Sequence, residues 1–278
     1  MKTPYITCLV FSDILLPTGD GVNRVALMTL PAQPATGRTR APIERIGATV
    51  LNELVQSIVS GEVAPGDAMP PESVLSTEFG VSRTVIRESM KRLQEKGMVT
   101  VAQGRGTHVN PTTSWNVLDP LVLSTMIRND STLGVLDELS VVRGALEAAM
   151  AAAAATMVDD DGRERLRRDL AAMTVNIEDS AAFRAADVQF HISVMELSDN
   201  ALAENIARVL ITHAVGSDRY TGVDPAHAFE RTVEEHERIV AAISEGDPEA
   251  ARTAMAAHIL GSWERRRLPS KRSPKHRA

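Results

Sequence analysis

Apolar residues recur every three or four positions between residues 46 and 97, and this spacing predicts three helices. The first helix is expected to end at Gly61. The second is short and is expected to end at Gly80, because glycine tolerates the left-handed backbone that often closes a helix. Ser82 is placed to cap the third helix with its hydroxyl, and Gly97 is placed to stop it.

Two short strand-like runs, residues 98–102 and 107–110, follow the third helix. The sequence Gln-Gly-Arg-Gly at 103–106 joins them, and its glycines favour a tight turn that projects the arginine outward. Helix, turn, helix, helix and hairpin is the order of a winged helix-turn-helix. We therefore predict a winged helix-turn-helix domain over residues 43–110.

From residue 134 onward the periodicity is helical, and short polar breaks such as Gly246-Asp247-Pro248 divide it. The predicted helices span residues 134–158, 163–178, 181–198, 201–220, 227–245 and 247–267. Residues 134–267 are expected to form an antiparallel bundle of helices. Residues 111–133 are expected to be a linker that contains a short helix beginning near Pro120. The predicted fold class is mainly α, with an N-terminal winged helix-turn-helix joined to an all-α antiparallel bundle.

The two ends of the chain lack such a pattern. Residues 1–42 mix a short apolar run with Thr, Pro, Gly and Ala, and we expect a disordered N-terminal extension. Residues 268–278 continue a basic run and are expected to be a disordered, solvated tail. The chain has 278 residues, 44% of them hydrophobic, which is enough for two ordinary domains between these ends.

Composition narrows the classes of protein. The single cysteine, Cys8, excludes an internal disulfide framework and a multi-cysteine metal site, and it suits a reducing cytoplasm. No uninterrupted apolar run is long enough to span a bilayer, so we expect a cytoplasmic protein without a membrane partner. The net charge of −6 argues against a protein that coats nucleic acid non-specifically. Residues 81–108 are the exception, since six basic and two acidic residues give this segment a net charge of +4.

The third predicted helix divides into two faces. At 100° per residue, one arc is apolar and carries Val85, Ile86, Ser89 and Leu93, and a separate arc carries Arg83, Thr84, Arg87 and Lys91. Two arginines four residues apart can bind phosphates or the acceptor edge of guanine. We interpret this helix as a DNA-contacting element; the alternative is an ordinary solvated helix face.

The segment from about residue 51 to 110 resembles the GntR family of bacterial transcription regulators. The matching stretches are Pro65-Gly66, Met69-Pro70-Pro71-Glu72, residues 81–88 (Val-Ser-Arg-Thr-Val-Ile-Arg-Glu) and residues 104–109 (Gly-Arg-Gly-Thr-His-Val). The resemblance implies that Arg83, Thr84 and Arg87 contact double-stranded DNA in the major groove. It also implies that the wing, the turn at residues 103–105, lies near the minor groove. The expected DNA-binding residues are Ser82, Arg83, Thr84, Arg87, Gly104 and Arg105. Ser73 departs from the arginine that many members carry there.

Polar residues interrupt the apolar face of the predicted bundle. Asp187 and His191 lie four residues apart on the inward arc of one helix, and His236 and His258 point inward from two later helices. A buried unpaired carboxylate is costly, and a cation would compensate it. One aspartate and three imidazoles suit Zn²⁺ first, and Ni²⁺, Mn²⁺ or Fe²⁺ as well. The alternative for each histidine is a hydrogen-bonded place in the core.

Residues 138–262 resemble the FCD ligand-binding domain of the FadR-like branch of that family. The resemblance implies that Asp187, His191, His236 and His258 hold a divalent metal on the floor of an effector pocket. Arg143 lies in line with inward leucines, and two roles stay open for it: a clamp on an effector carboxylate, or an internal ion pair with an acidic residue such as Glu147 or Glu196. His213 is expected to line the same pocket.

These features predict a homodimeric, metabolite-responsive transcription regulator, with a repressor as the expected type. Two winged domains would bind a pseudo-palindromic operator, and a small organic acid would release them. The stretch Ser-Trp-Asn-Val-Leu-Asp-Pro at 114–120 resembles regulators of sugar-acid catabolism, including galactonate-type ones. The alternative function is a metal-dependent enzyme that uses the same Asp/His₃ set, because a bound metal can activate water. The sequence offers no general base beside that set, so we expect no catalytic residues.

Overall fold

The computed structural model describes residues 42–102, 104, 106–217, 224–225 and 227–267. The N-terminal extension apart from Pro42, and the basic tail, lie outside these residues. In the first half the elements are α1 (Pro42–Val59), α2 (Glu72–Glu78), α3 (Arg83–Glu95), β1 (Val99–Ala102) and β2 (Gly106–Val109). The second half contains α4 (Pro120–Asn129), α5 (Gly134–Met157), α6 (Asp160–Val175), α7 (Ser180–Leu197), α8 (Ala201–Val215), α9 (Ala228–Glu245) and α10 (Pro248–Arg267).

The first five elements form the winged helix-turn-helix that the sequence predicts. Helices α1, α2 and α3 share an apolar core that includes Val55, Ile58, Ile86, Leu93 and Met98. Strands β1 and β2 pair antiparallel, with Val99 opposite Val109. The hairpin covers this core because Val99 and Val109 are themselves buried in it.

Local chemistry sets the boundaries of α3. The Ser82 hydroxyl accepts a hydrogen bond from the backbone N–H of Val85, which caps the helix as predicted. Gly97 has φ +70°, and a Cβ at this position would lie 2.2 Å from the carbonyl oxygen of Ser114. Only glycine fits, since both the backbone conformation and the close approach exclude a side chain.

The predicted linker contains α4, and this helix packs against both halves of the chain. Asp119 caps it by accepting hydrogen bonds from the backbone N–H groups of Leu121 and Val122. Val122 is buried in the core of the winged domain, and Leu123 is buried against helices of the bundle. The side-chain amides of Asn129 on α4 and Gln56 on α1 also hydrogen bond to each other. The linker helix is therefore a packed element of the fold.

The remaining helices form the predicted bundle, with α5 packed against α7, α8, α9 and α10. Buried alanines on α5 keep side chains small where α10 approaches; they are Ala148, Ala151, Ala154 and Ala155. The bounds of two helices, α6 and α8, differ most from those that the periodicity predicts. Helix α6 begins before residue 163 because Asp159 caps it, and α8 ends at Val215 instead of residue 220.

Helix α5 is long and apolar enough by length and composition to cross a bilayer. In the structure 61% of its apolar window is buried inside the bundle, and Arg143 and Glu147 lie on its buried face. These are the features of a core helix.

Candidate metal centre and nucleic-acid interface

Helix α3 exposes the side chains that the sequence assigns to DNA. Arg83, Thr84 and Arg87 are exposed, whereas Ile86 and Leu93 are fully buried on the opposite side. Arg87 Nη2 lies 3.3 Å from Glu72 Oε2, with 71% and 41% of the two side chains exposed. Such an exposed pair contributes little to stability. It holds the guanidinium loosely in the free protein and leaves it accessible to DNA.

The wing is described in part. Gly104 is exposed, has φ +74°, and has open space where a Cβ would lie. Its conformation is the left-handed turn that the glycine pattern predicts. Arg105 lies outside the described residues, so its contact with DNA stays a prediction.

The four predicted metal ligands converge inside the bundle. Asp187 and His191 come from α7, His236 from α9 and His258 from α10. The Nε2 atom of His258 lies 3.1 Å from Nε2 of His236 and 3.3 Å from Nε2 of His191. Asp187 Oδ1 lies 3.6 Å from His236 Nε2 and 3.9 Å from His191 Nε2. The three imidazoles are buried, and 23% of the Asp187 side chain is exposed.

This geometry fits a divalent metal. A Zn–N bond is about 2.0–2.1 Å long, so two nitrogen ligands of a tetrahedral ion stand roughly 3.3 Å apart. Asp187 Oδ1 is buried and has no hydrogen-bond partner among the described residues. Burial lowers the pKa of His236 well below its ordinary value, and it also lowers the pKa of His258. These two imidazoles are therefore neutral at neutral pH, which is the form that binds a metal.

A carboxylate lies behind two of the three imidazoles. His258 Nδ1 donates to Glu235 Oε2 at 2.8 Å, and Arg265 binds both oxygens of Glu235 at 2.8 and 2.9 Å. Burial raises the pKa of Glu235, but hydrogen bonds from His258 and Arg265 outweigh it and the pKa is lowered. Because a carboxylate only accepts, Nδ1 carries the hydrogen and Nε2 keeps its lone pair for a metal. Glu235 carries no signal in the sequence, because its contact with His258 exists only across α9 and α10.

Glu147 is the carboxylate that lies behind His191. His191 Nδ1 lies 2.7 Å from Glu147 Oε2, although its N–H is not aligned for a full hydrogen bond. Arg143 Nε donates to Glu147 Oε1 at 2.7 Å. Burial raises the pKa of Glu147, and the charges of Arg143 and His191 reverse that effect and hold it well below its usual range. His236 differs, since its Nδ1 faces Met173 Sδ at 3.1 Å.

Arg143 lies beside the cluster and forms an internal ion pair with Glu147, which is one of the two roles that the sequence left open. Arg143 also lines a cavity of about 20 Å³ together with Asp187, His191 and His258. This volume is close to that of a single water site. Contrary to the prediction, His213 does not line the cavity of the cluster, because its face of α8 points toward α4 and the start of α5. It lines a separate groove of about 520 Å³ with residues such as Ser124 and Leu136.

Comparison with known proteins follows this division of the chain. Residues 47–109 match the family described as bacterial regulatory proteins, gntR family, and residues 138–261 match the FCD domain. The galactonate operon transcriptional repressor of Escherichia coli strain K12 is 31% identical over 214 residues, which cover 76% of this chain and 93% of that protein. The chain belongs to the GntR family.

Other relatives agree with this GntR membership. The E. coli K12 regulator YieP is 30% identical, with 81% of this chain and 96% of that protein covered. The solved structure of Lar, which controls expression of the Listeria monocytogenes agr system, has a TM-score of 0.53 at 21% identity over 80% of this chain and 97% of that chain. That likeness shows the shared fold. The chain is a DNA-binding transcription regulator, and these relatives give no support to the alternative of a metal-dependent enzyme.

Proposed function

We propose that this GntR regulator is a homodimeric repressor in the cytoplasm, released from its operator by a small organic acid bound in the helical bundle. The observation that carries the proposal is the buried Asp/His₃ cluster, placed in a bundle that α4 connects to the winged domain by packed contacts. The name of the galactonate operon repressor supports both the repressor type and a sugar acid as effector.

The DNA side of the proposal uses α3 of both subunits. Arg83, Thr84 and Arg87 would contact bases and phosphates in the major groove, with Ser82 at the helix start and Gly104 and Arg105 in the wing. Two such helices fit half-sites about 34–36 Å apart, one turn of the duplex, and hence a pseudo-palindromic operator. Exposed apolar side chains on adjacent helices of the bundle, Val141 and Leu260, support the presence of a second copy.

The metal side of the proposal assigns Asp187, His191, His236 and His258 as ligands. Zn²⁺ is the first expectation, and Ni²⁺, Mn²⁺ and Fe²⁺ satisfy the same donor types. When bound, the ion supplies a positive charge that can hold an oxygen of an acid. Arg143 lines the cavity beside these ligands and is proposed to contact the same acid group. His213 lies in the separate groove and is left out of this set.

The proposed effector is larger than the cavity, which holds about 20 Å³. Binding would therefore move the side chains that line it, and with them the helices α5, α7 and α10. Because α4 packs against the bundle through Leu123 and against α1 through Val122, such a movement can reach the DNA-binding domain. The coupling is reciprocal, so operator DNA should weaken effector binding by the same factor.

A thermal-shift panel of sugar acids and dicarboxylates tests the effector. At an acid concentration 100 times its Kd, ligand binding adds about 2.7 kcal/mol of stability, which corresponds to a rise in Tm of roughly 5–10 °C. The same acid should release operator DNA in a fluorescence anisotropy titration. Galactitol, which has the chain of galactonate without the carboxylate, serves as the control. A panel in which no acid raises Tm or releases DNA contradicts this part of the proposal.

Glu235→Gln tests whether the outer carboxylate supports the metal. We expect Zn²⁺ affinity to fall about 10–100-fold, because a neutral amide oxygen accepts the His258 Nδ1–H more weakly than a carboxylate and raises the basicity of the ring less. Affinity is measured by competition with a chelator of known strength. Glu234→Gln is the matched control, since Glu234 precedes it on α9 and is 64% exposed beside Arg238. Equal zinc affinity in the two variants would assign Glu235 no role at the centre.

A further inference from the structure

An internal carboxylate links two arginines at the cavity. Asp224 Oδ2 accepts a hydrogen bond from Arg184 Nη1 of α7 at 2.6 Å, and Oδ1 accepts one from Arg266 Nη2 of α10 at 3.3 Å. The side chains of Arg184, Arg266 and Asp224 are 19%, 8% and 20% exposed. Contacts this sheltered from solvent are stronger than ordinary surface ion pairs.

Both arginines line the same cavity as Arg143, Asp187 and His258. Their positions are fixed by further contacts. Arg184 lies over the ring of Phe229, 5.7 Å from its centroid, and Arg266 Nη1 donates to the carbonyl and hydroxyl oxygens of Ser262. The cavity lining therefore combines two kinds of group, the cluster with Arg143 and a preformed pair of guanidinium groups.

We propose that Arg184 and Arg266 form an acid-binding subsite that Asp224 occupies in the free protein. An incoming carboxylate would take over the charge-assisted hydrogen bonds that Asp224 now accepts, which needs no new cationic residue. This inference rests on the proposed function, in which the first acid group of the effector binds at the cluster and Arg143. The effector then needs a second acid group for Arg184 and Arg266. Its chemical class is a diacid, such as an aldaric acid.

The exchange explains why so small a cavity can serve as a binding site. Asp224 already supplies the carboxylate that this subsite accepts, so the two guanidinium groups become available to an effector when it displaces Asp224. A monoacid can satisfy the cluster end, but it offers only a hydroxyl to Arg184 and Arg266. A hydroxyl that displaces Asp224 would accept weaker hydrogen bonds from the two guanidinium groups than a carboxylate does, which is unfavourable in a sheltered site.

Galactarate and galactonate test the subsite, because they differ only in a carboxylate or a hydroxymethyl group at one end. Isothermal titration of the zinc-loaded protein should show tighter binding of galactarate. Asp224→Asn removes the charge of the internal competitor and should raise galactarate affinity about tenfold, with little change for galactonate. Arg266→Gln should remove the preference for galactarate.

The control is Arg267→Gln, because Arg267 follows directly in sequence, pairs with Asp137 and is 50% exposed. It should keep the galactarate preference. Zinc stoichiometry and operator affinity are measured for every variant, so a failure of the proposed metal centre or of DNA binding appears in those two readings. With both intact, the diacid subsite is overturned by equal affinities for the two acids, by no binding of either, or by an unchanged galactarate affinity in Asp224→Asn.

Discussion

Arg87→Ala is expected to remove operator binding at protein concentrations that saturate the wild type. Losing one arginine contact to a base costs about 1–3 kcal/mol, and in a dimer both half-sites lose it, so affinity should fall by at least roughly 30-fold. The fold should not change, because the Arg87 side chain is 71% exposed and its pair with Glu72 is weak. Fluorescence anisotropy with a labelled operator measures the loss, and the thermal transition should move little.

Arg92→Ala is the matched control for this substitution. Arg92 lies on the same helix and is exposed, but at 100° per residue it stands about 140° from Arg87 and outside the arc of Arg83 and Thr84. Its loss should change operator affinity far less than the loss of Arg87. Tight binding retained by Arg87→Ala would refute the assignment of α3 as the DNA-contacting helix, whatever the behaviour of Arg92→Ala.

The sequence predicts the winged domain well because residues next to each helix end determine where its helices begin and end. Ser82 caps α3, and Gly80 and Gly97 adopt the positive φ that their places after helices require. The buried face of α3 is also predicted by local spacing, although Met90 is buried and the predicted Val85 is only partly buried. The end of α8 is local too, since Gly216 directly follows Val215, and the predicted end at residue 220 overlooked this glycine.

In the candidate metal centre, some residues could likewise be predicted from local sequence and others could not. Asp187 and His191 can be found from their spacing on one helix, and His236 and His258 from their apolar neighbours. Glu235 could not be found, because it precedes His236 in sequence and meets His258 only through the packing of α9 on α10. Asp224 gave no signal either, since its contacts with Arg184 and Arg266 join residues that lie 40 and 42 positions away.

The role of Arg143 could be predicted only in part from the sequence. Its spacing from Glu147 allows an ion pair within α5, and its direction allows contact with an effector. The structure shows the ion pair, with Arg143 at the wall of the cavity. We infer that an acid bound to Arg143 would compete with Glu147 and so disturb the contact between Glu147 and His191. The effector and the metal would then influence each other through this pair of side chains.

His236→Ala is expected to abolish stoichiometric metal binding and the response to effector together. His236 is fully buried, its Nε2 lies 3.1 Å from that of His258, and its ring stacks on Phe190 at 4.2 Å between centroids. Removing a direct ligand should cost more than the 10–100-fold that loss of an outer partner typically costs. Metal per chain is measured after dialysis against buffered zinc, and effector response by release of operator DNA.

His213→Ala is the control, because it removes a histidine of the bundle that is not a proposed metal ligand. His213 belongs to the same bundle but lines the other groove, so this variant should keep one metal per chain and its effector response. Because alanine leaves a cavity beside Phe190 and Met173, His236→Gln is made as well, to fill the space with a weaker donor. If either folded His236 variant keeps one metal per chain at wild-type affinity, the ligand set is wrong. The cluster would then be a hydrogen-bonded core, and its paired carboxylates would serve stability alone.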